Sequence, residues 1–190
     1  MVEGAKSVQE LMGSDFEVMK VFGTPRFLDG LNKAGSVEVI EVSEADLEAV
    51  SGLETNNAAL AIARMRPPNE PLQVDAKEFT LVLDDIRDPG NLGTIIRIAD
   101  WYAIRHVIAS PETADFYNPK VIRASMGSFT RVRLFYTKLA DFLATNKLPV
   151  FGTFLDGKNI HEMNFPKGGL LVIGNESKGI APDLTRFITD

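Results

Sequence analysis

The stretch FTLVLDDIRDPGNLGTIIRIADW (residues 79–101) joins a near-continuous apolar run to a tight polar turn and then to an amphipathic segment. An unbroken apolar run is typical of a parallel strand that is covered on both faces. After the turn we predict a helix from about Asn91 to Tyr102, with Asn91 as the N-cap because its side chain can accept a hydrogen bond from an unpaired backbone N–H. Arg97 falls in what reads as the buried part of this helix, an unusual place for a guanidinium group.

The strand, turn and helix pattern continues towards the end of the sequence. Further helices are predicted near 118–126 and at KLADFLATN (138–146), and further strands at HVIAS (106–110), VRLFY (132–136), PVFGTFL (149–155) and GGLLVIGNE (168–176). Such alternation predicts an α/β fold with a mainly parallel, doubly wound sheet.

The first third of the sequence reads as a smaller α/β unit. It has predicted helices in AKSVQELMGS (5–14) and in SEADLEAVSG (43–52), the second opening on a serine cap and closing on a glycine, and predicted strands in VMKVFGT (18–24), SVEVIEVS (36–43) and AALAIARM (58–65). The segment RMRPPNEPLQ (64–73) holds three prolines, which a helix interior or a central strand excludes. We therefore predict an N-terminal domain at 1–66, a linker at 67–77 and a second domain at 78–190.

The composition narrows the kinds of site that the protein can hold. The 190 residues include no cysteine, which excludes disulfides and thiolate metal sites, and the two histidines are a poor basis for a zinc site. We expect no metal. No run is long and apolar enough to span a bilayer, and no secretory leader is recognisable, so a cytoplasmic protein without a membrane partner is expected.

Charge is distributed unevenly over the sequence. The net charge is −6, but residues 1–76 carry 6 Lys and Arg against 13 Asp and Glu, whereas the remainder carries 14 against 13. Between positions 97 and 133 six basic residues face three acidic ones. This pattern fits a local basic surface for nucleic acid and equally fits solvated charges spread over several faces.

Three predicted loops follow the carboxyl ends of strands, where ligands bind in an open parallel sheet. They are DDIRDPGNLG (84–93), TFLDGKN (153–159) and VIGNESKG (172–179). The sequence has no G-x-G-x-x-G, P-loop or G-x-S-x-G motif, so the usual nucleotide sites and the hydrolase elbow do not fit. Asp84 and Asp85 have the chemistry for Mg²⁺, but we interpret them as solvated caps at an exposed strand end.

The same loops resemble a known family. DPGNLGTIIRIADW (88–101) and VIGNESKGI (172–180) closely resemble the first two motifs of the SpoU (TrmH-like) class of SPOUT methyltransferases, which methylate RNA ribose 2′-hydroxyls with S-adenosyl-L-methionine. NPKVIRASMGS (118–128), GTFLDGKN (152–159) and VEGAKSVQELM (2–12) resemble further family segments, so the resemblance covers nearly the whole chain. It implies an N-terminal α/β RNA-binding domain and a SPOUT domain. It also implies RNA as partner, rRNA rather than tRNA, and a homodimer for the full-length protein.

The resemblance also implies roles for individual residues. The catalytic residues would be Arg97, Asn91 and Glu176. The cofactor would meet Thr153, Phe154, Leu155, Ile173, Gly174 and Asn175. The RNA would meet Arg97, Arg123, Arg131, Lys6 and Arg26. The residues alone leave other readings open: Arg97 extending to solvent or pairing with Asp88 or Asp100, Glu176 as a helix cap, and Phe154 as a core residue.

The sequence departs from the family pattern at LTRFITD (184–190), where a third motif would begin. We therefore expect the family's trefoil knot to be incomplete and cofactor binding and dimerisation by this chain to be weak. One alternative hypothesis is a non-catalytic RNA-binding relative that has lost the cofactor. Another is an α/β enzyme for a phosphate ligand, unrelated to RNA.

Overall fold

A computed structural model of the chain describes residues 1–31, 37–52, 55–67 and 74–189. Its strands form two sheets, one with the order β1-β4-β2-β3 and one with the order β7-β6-β5-β9-β8. The strands are β1 Val2–Glu3, β2 Val18–Gly23, β3 Glu38–Glu41, β4 Ala59–Ala63, β5 Phe79–Leu83, β6 His106–Ala109, β7 Arg133–Tyr136, β8 Val150–Gly152 and β9 Gly169–Ile173. The helices are α1 Ala5–Met12, α2 Pro25–Asp29, α3 Glu44–Val50, α4 Pro89–Trp101, α5 Pro119–Ala124, α6 Leu139–Thr145 and α7 Pro182–Thr185.

The larger sheet is parallel throughout, which confirms the α/β prediction for this part of the chain. The chain runs from β5 outward to β7, then crosses to β8 at the opposite side of the sheet and returns through β9 to lie beside β5. Strand order therefore reverses between β5 and β9. In open α/β sheets a reversal of this kind opens a crevice at the carboxyl ends of the strands.

Alternating side chains of β5 explain why the sheet is covered on both faces. Leu81 and Leu83 point into a core with the buried side of α4, where Leu92 and Ile96 lie. Val82 points into the opposite core, with Leu139, Leu143 and Leu184 of α6 and α7. Successive residues of a strand point to opposite faces, so a run that is apolar throughout buries both of them.

The smaller sheet is mixed. Its β1–β4 and β4–β2 pairs are antiparallel, and its β2–β3 pair is parallel. Ser43 caps α3 as predicted, in a capping box with Asp46. The predicted glycine stop is wrong: α3 ends at Val50, and the extended backbone of its C-cap Ser51 breaks the helix before Gly52 is reached.

The two parts of the chain share one hydrophobic core. Phe16 from the first part packs edge-to-face on Phe129 from the second, with 5.8 Å between ring centroids. Arg66 contacts both parts. Its guanidinium lies 3.9 Å above the Phe16 ring, and its Nη2 donates to the Thr130 carbonyl at 2.8 Å. The predicted domain boundary at 67–77 stays a prediction, and residues 68–73 lie outside the described part.

No helix within the described ranges is both long enough and apolar enough to cross a lipid bilayer.

Candidate active site

Three loops meet at one edge of the larger sheet, as the sequence predicted. Strands β5, β9 and β8 are neighbours and run in the same direction, so their carboxyl ends at Leu83, Ile173 and Gly152 share an edge. The loop after β5 leads into α4, and the loop after β9 forms a tight turn. We call this the strand-end site.

Asp88 is the N-cap of α4, which corrects the prediction that Asn91 fills this position. The Asp88 carboxylate accepts the backbone N–H of Asn91 at 2.9 Å, and this hydrogen bond lowers the pKa of Asp88 below its ordinary value. Pro89 occupies the first helical position, where its fixed φ suits the helix and its missing N–H costs nothing. The helix therefore starts about one turn early, and the Asn91 side chain is free to make another contact.

Asn91 uses its side chain to reach Glu176. The Asn91 amide Nδ2 donates to Glu176 Oε1, across 85 positions of sequence, and both residues are exposed at the strand-end site. Glu176 lies in the turn between β9 and α7 and does not cap a helix within the described residues. The structure thus brings together two of the three predicted catalytic residues.

The turn after β9 is held by its own backbone and by Asn175. A Cβ atom on Gly174 would lie 2.2 Å from the Gly179 carbonyl carbon, so only glycine fits there. Asn175 Oδ1 accepts the N–H of Ser177 at 2.9 Å, and Asn175 Nδ2 donates to the Asp85 carbonyl at 2.8 Å. These contacts lock the turn to the loop after β5. The Asn175 side chain is therefore used in contacts within the protein, and the backbone groups of the turn are the ones available to bind a ligand.

Asp84 is a buried residue, contrary to the interpretation of a solvated cap. Its side chain is 8% exposed and accepts the backbone N–H of Ala181 at 2.7 Å, and burial raises its pKa. Asp85 pairs with Arg87 at 2.6 Å and turns the chain through a left-handed backbone conformation, with φ at 57°. The described residues contain no group of three or more side chains suited to a metal ion.

Arg97 is exposed on α4, so the prediction that it lies in the buried part of the helix is wrong. The apolar face of α4 is formed by other positions, which the 3.6-residue period separates from Arg97. Within the described ranges its guanidinium has no hydrogen bond or ion pair. Asp88 pairs with Lys120 and Asp100 with Arg131, so neither predicted partner is used.

Arg97 does not contact the Asn91–Glu176 pair. The rise of a helix places it about 9 Å further along the axis of α4 than Asn91. Its charge is therefore available to a ligand that lies along the helix from the strand-end site.

The predicted cofactor loop after β8 presents apolar side chains to solvent. Phe154 is 43% exposed and Leu155 is fully exposed, so the core-packing alternative for Phe154 is wrong. Thr153 Oγ1 donates to the Val172 carbonyl at 3.2 Å, and Ile173 at the end of β9 is half-buried. Exposed apolar groups beside backbone polar groups suit a flat aromatic ring with a polar edge. The residues present therefore fit the adenosine part of the expected cofactor.

The four predicted RNA contacts other than Arg97 fall into two pairs. Lys6 and Arg26 are exposed. Arg123 donates to the carbonyls of Gly52 and Pro119, and Arg131 pairs with Asp100 and Glu10. Arg123 and Arg131 therefore use donors in hydrogen bonds and ion pairs within the protein.

Two residues have roles in the site that were not predicted from the sequence. Asp88 was signalled by the Asp-Pro pair, an acid at the N-cap before proline at the first helical position. Asp84 had no sequence signal for its burial, because its partner Ala181 lies 97 positions away.

Known proteins resemble this chain over most of its length. The model of the SpoU rRNA Methylase family matches residues 78–189. Over 184 residues the chain is 29% identical to the 23S rRNA (guanosine(2553)-2′-O)-methyltransferase RlmP of Bacillus subtilis, covering 95% of the chain and 73% of that enzyme. Several mitochondrial rRNA methyltransferases also match, and the chain spans less than half of their length.

Solved structures match almost the whole chain. A putative RNA methyltransferase of the TrmH family from Porphyromonas gingivalis is 36% identical, with a TM-score of 0.87, covering 100% of this chain and 77% of that one. An AdoMet-bound rRNA methyltransferase from Sinorhizobium meliloti is 26% identical, with a TM-score of 0.79, covering 98% and 74%.

Proposed function

The chain belongs to the SpoU rRNA Methylase family, and from this premise we propose that it transfers a methyl group from S-adenosyl-L-methionine to a ribose 2′-hydroxyl of ribosomal RNA. The Bacillus subtilis relative is named as an enzyme of this activity on 23S rRNA. The Sinorhizobium meliloti structure supports the choice of cofactor, because it is an AdoMet-bound rRNA methyltransferase.

The observation that carries the proposal is the contact between Asn91 and Glu176. It joins the start of α4 to the turn after β9 at the point where strand order reverses. The loop that would hold the cofactor and the helix that carries Arg97 are thereby fixed relative to one another. Catalysis by proximity depends on a fixed relation of this kind.

S-adenosyl-L-methionine supplies an electrophilic methyl group on a positively charged sulfur. The residues that would hold it are Thr153, Phe154 and Leu155 on one side and the backbone at 173–175 on the other. The apolar side chains of the loop after β8 would shield the ring from water, and the backbone groups would fix its polar edge.

Arg97 is assigned to the ribose. A guanidinium remains protonated at ordinary pH, so Arg97 is no general base. Its positive field would lower the pKa of a nearby ribose hydroxyl and would stabilise negative charge on that oxygen as its proton passes to the adjacent phosphate or to water. Its fork of donors also fits the adjacent phosphate. The absence of a partner within the described residues leaves these donors free for the RNA.

A homodimer is proposed from the exposed face of α4. Ile98, Trp101 and Tyr102 are 49%, 85% and 72% exposed at the carboxyl end of α4. Ile98 and Tyr102 line an apolar groove of about 650 Å³ together with Leu171 and Ile173. An apolar surface with two exposed aromatic rings is typical of a protein interface. The cytoplasm is the proposed location.

The test is methyl transfer from labelled S-adenosyl-L-methionine to purified ribosomal RNA and, in parallel, to tRNA. We expect label in rRNA, and after alkaline hydrolysis we expect it in dinucleotides, because a 2′-O-methyl group blocks cleavage at that ribose. Binding of RNA without any incorporation would contradict the proposal and favour a non-catalytic RNA-binding relative. Label in the bases rather than the ribose would contradict the assignment of the acceptor.

A further inference from the structure

A second polar site lies at the edge of the larger sheet opposite the strand-end site. Strands β6 and β7 begin there, at His106 and Arg133, and a cavity of about 850 Å³ separates these starts from α1. We call this cavity the amino-edge groove. All strands of this sheet begin at the edge that holds the groove and end at the edge that holds the strand-end site, so the two sites lie on opposite edges. Helix α4 runs between them, and its 13 residues span about 20 Å.

The amino-edge groove is lined by five basic side chains, namely Lys6, Arg66, Arg105, Arg131 and Arg133. Three carboxylates also line it, namely Glu10, Asp15 and Asp100. The groove therefore carries a net charge of +2 in a chain whose net charge is −6. The groove is therefore positively charged, whereas the chain as a whole is negatively charged.

Each carboxylate of the groove is paired with an arginine. Asp15 contacts Arg66 and also Arg133, the second pair at 3.1 Å. Arg131 contacts Glu10 and binds Asp100 through two nitrogens, at 2.8 and 2.9 Å. This network holds three of the arginines in place and neutralises the acids that would otherwise repel an anion.

Lys6 and Arg105 are the remaining cations of the groove. Both are exposed, and within the described part of the chain neither side chain makes a hydrogen bond or an ion pair. Lys6 projects from α1 in the first part of the chain, and Arg105 immediately precedes β6 in the second. An anion bound between them would therefore bridge the two parts.

We propose that the amino-edge groove binds the phosphate backbone of the RNA substrate, with Lys6 and Arg105 as the phosphate contacts. The inference rests on the proposed function and adds a second place at which the RNA is held. Lysine and arginine are the side chains that neutralise RNA phosphates, and each such contact releases counterions. A contact about 20 Å from the strand-end site sets affinity and register and takes no part in the chemistry.

The experiment compares the double variant Lys6→Ala/Arg105→Ala with wild type. The matched control is Lys138→Ala/Lys147→Ala, which removes the same charge from exposed positions flanking α6, outside the groove. Filter binding of purified ribosomal RNA is measured between 50 and 200 mM KCl, together with KM and kcat for methylation. Circular dichroism establishes that all variants are folded.

Two lost phosphate contacts should reduce the magnitude of the slope of log K against log salt by about 1.4 to 1.8. The binding deficit of the double variant should therefore shrink about tenfold between 50 and 200 mM KCl. In the double variant KM for RNA should rise by a larger factor than kcat falls. The control variant should behave as wild type. An unchanged slope in the double variant, or an equal loss in the control, would overturn the inference.

A small phosphate ligand is distinguished from RNA by competition. Inorganic phosphate, compared with KCl at equal ionic strength, should not displace the RNA; specific displacement would overturn the assignment to the RNA backbone. Failure of the proposed function has a different signature, because wild type itself would then methylate no RNA at any salt concentration.

Discussion

Replacing Gly93 by alanine tests how closely α4 and α5 pack beneath the strand-end site. A Cβ atom at Gly93 would lie 2.5 Å from the Ala124 Cβ, 2.7 Å from the Val121 carbonyl oxygen and 3.1 Å from the Ser125 nitrogen. Ordinary carbon contacts are about 3.5 to 4.0 Å, so the helices must separate by about 1 Å. Two of these neighbours are backbone atoms, which cannot rotate away.

The magnitude follows from two opposed effects. Overpacking of this kind costs about 3 kcal/mol, at the upper end of its range because backbone must move. The better helix propensity of alanine returns about 1 kcal/mol. Gly93→Ala should therefore lower the free energy of unfolding by about 2 kcal/mol, a fall in Tm of about 4 to 8 °C for a protein of this size.

The assay is urea denaturation followed by circular dichroism, with Gly13→Ala as the matched control. Gly13 has a negative φ, and its Cβ would meet only ordinary contacts at 3.7 and 3.8 Å. There alanine should stabilise the protein by about 0.4 to 1 kcal/mol, since it restricts the unfolded chain. Wild-type or higher stability for Gly93→Ala would refute the close helix approach.

Three further predictions use other parts of the molecule. Burial raises the pKa of Asp84, so the native state binds the proton more tightly than the unfolded state does. Stability should therefore fall as pH rises from the ordinary aspartate pKa through the raised one. Urea denaturation at several pH values should show that Asp84→Asn removes this pH dependence. Arg131→Met should lower the free energy of unfolding by about 1 kcal/mol, the upper end for a partly exposed ion pair. Because the Arg131 hydrogen bond lowers the pKa of Asp100, this loss of stability should disappear as pH falls through that lowered pKa. A loss that is independent of pH in urea titrations would contradict this. Trp101→Glu should shift the monomer–dimer equilibrium further towards monomer in sedimentation equilibrium, and a dissociation constant equal to that of wild type would exclude the proposed interface.

The architecture of the larger sheet was predictable because it depends on local pattern. The apolar run of β5 and the alternation of strands and helices determine a parallel sheet, and such a sheet places the three loops on one edge. This topology brings Asn91 and Glu176 to the same edge of the sheet. Their hydrogen bond across 85 positions follows from two loops sharing an edge.

The errors concern burial and exact boundaries, which depend on tertiary contacts. Arg97 is exposed because the core takes the other face of α4, and a shift of the helix start from Asn91 to Asp88 changes the cap without changing the periodic pattern. Asp84 is buried by the distant segment at Ala181. The shared core of Phe16 and Phe129 was likewise beyond local pattern, since it joins the two parts of the chain.

The most direct test of the central claim is the single-turnover rate of ribose methylation by Arg97→Ala, with Arg64→Ala as a control at an exposed arginine that follows β4 in the smaller sheet. Both are measured at saturating RNA and S-adenosyl-L-methionine, and cofactor affinity is measured by calorimetry. Loss of one group that stabilises developing charge costs about 10²- to 10³-fold, so Arg97→Ala should methylate the ribose at least 100-fold more slowly with unchanged cofactor affinity. A rate equal to that of wild type would contradict the account.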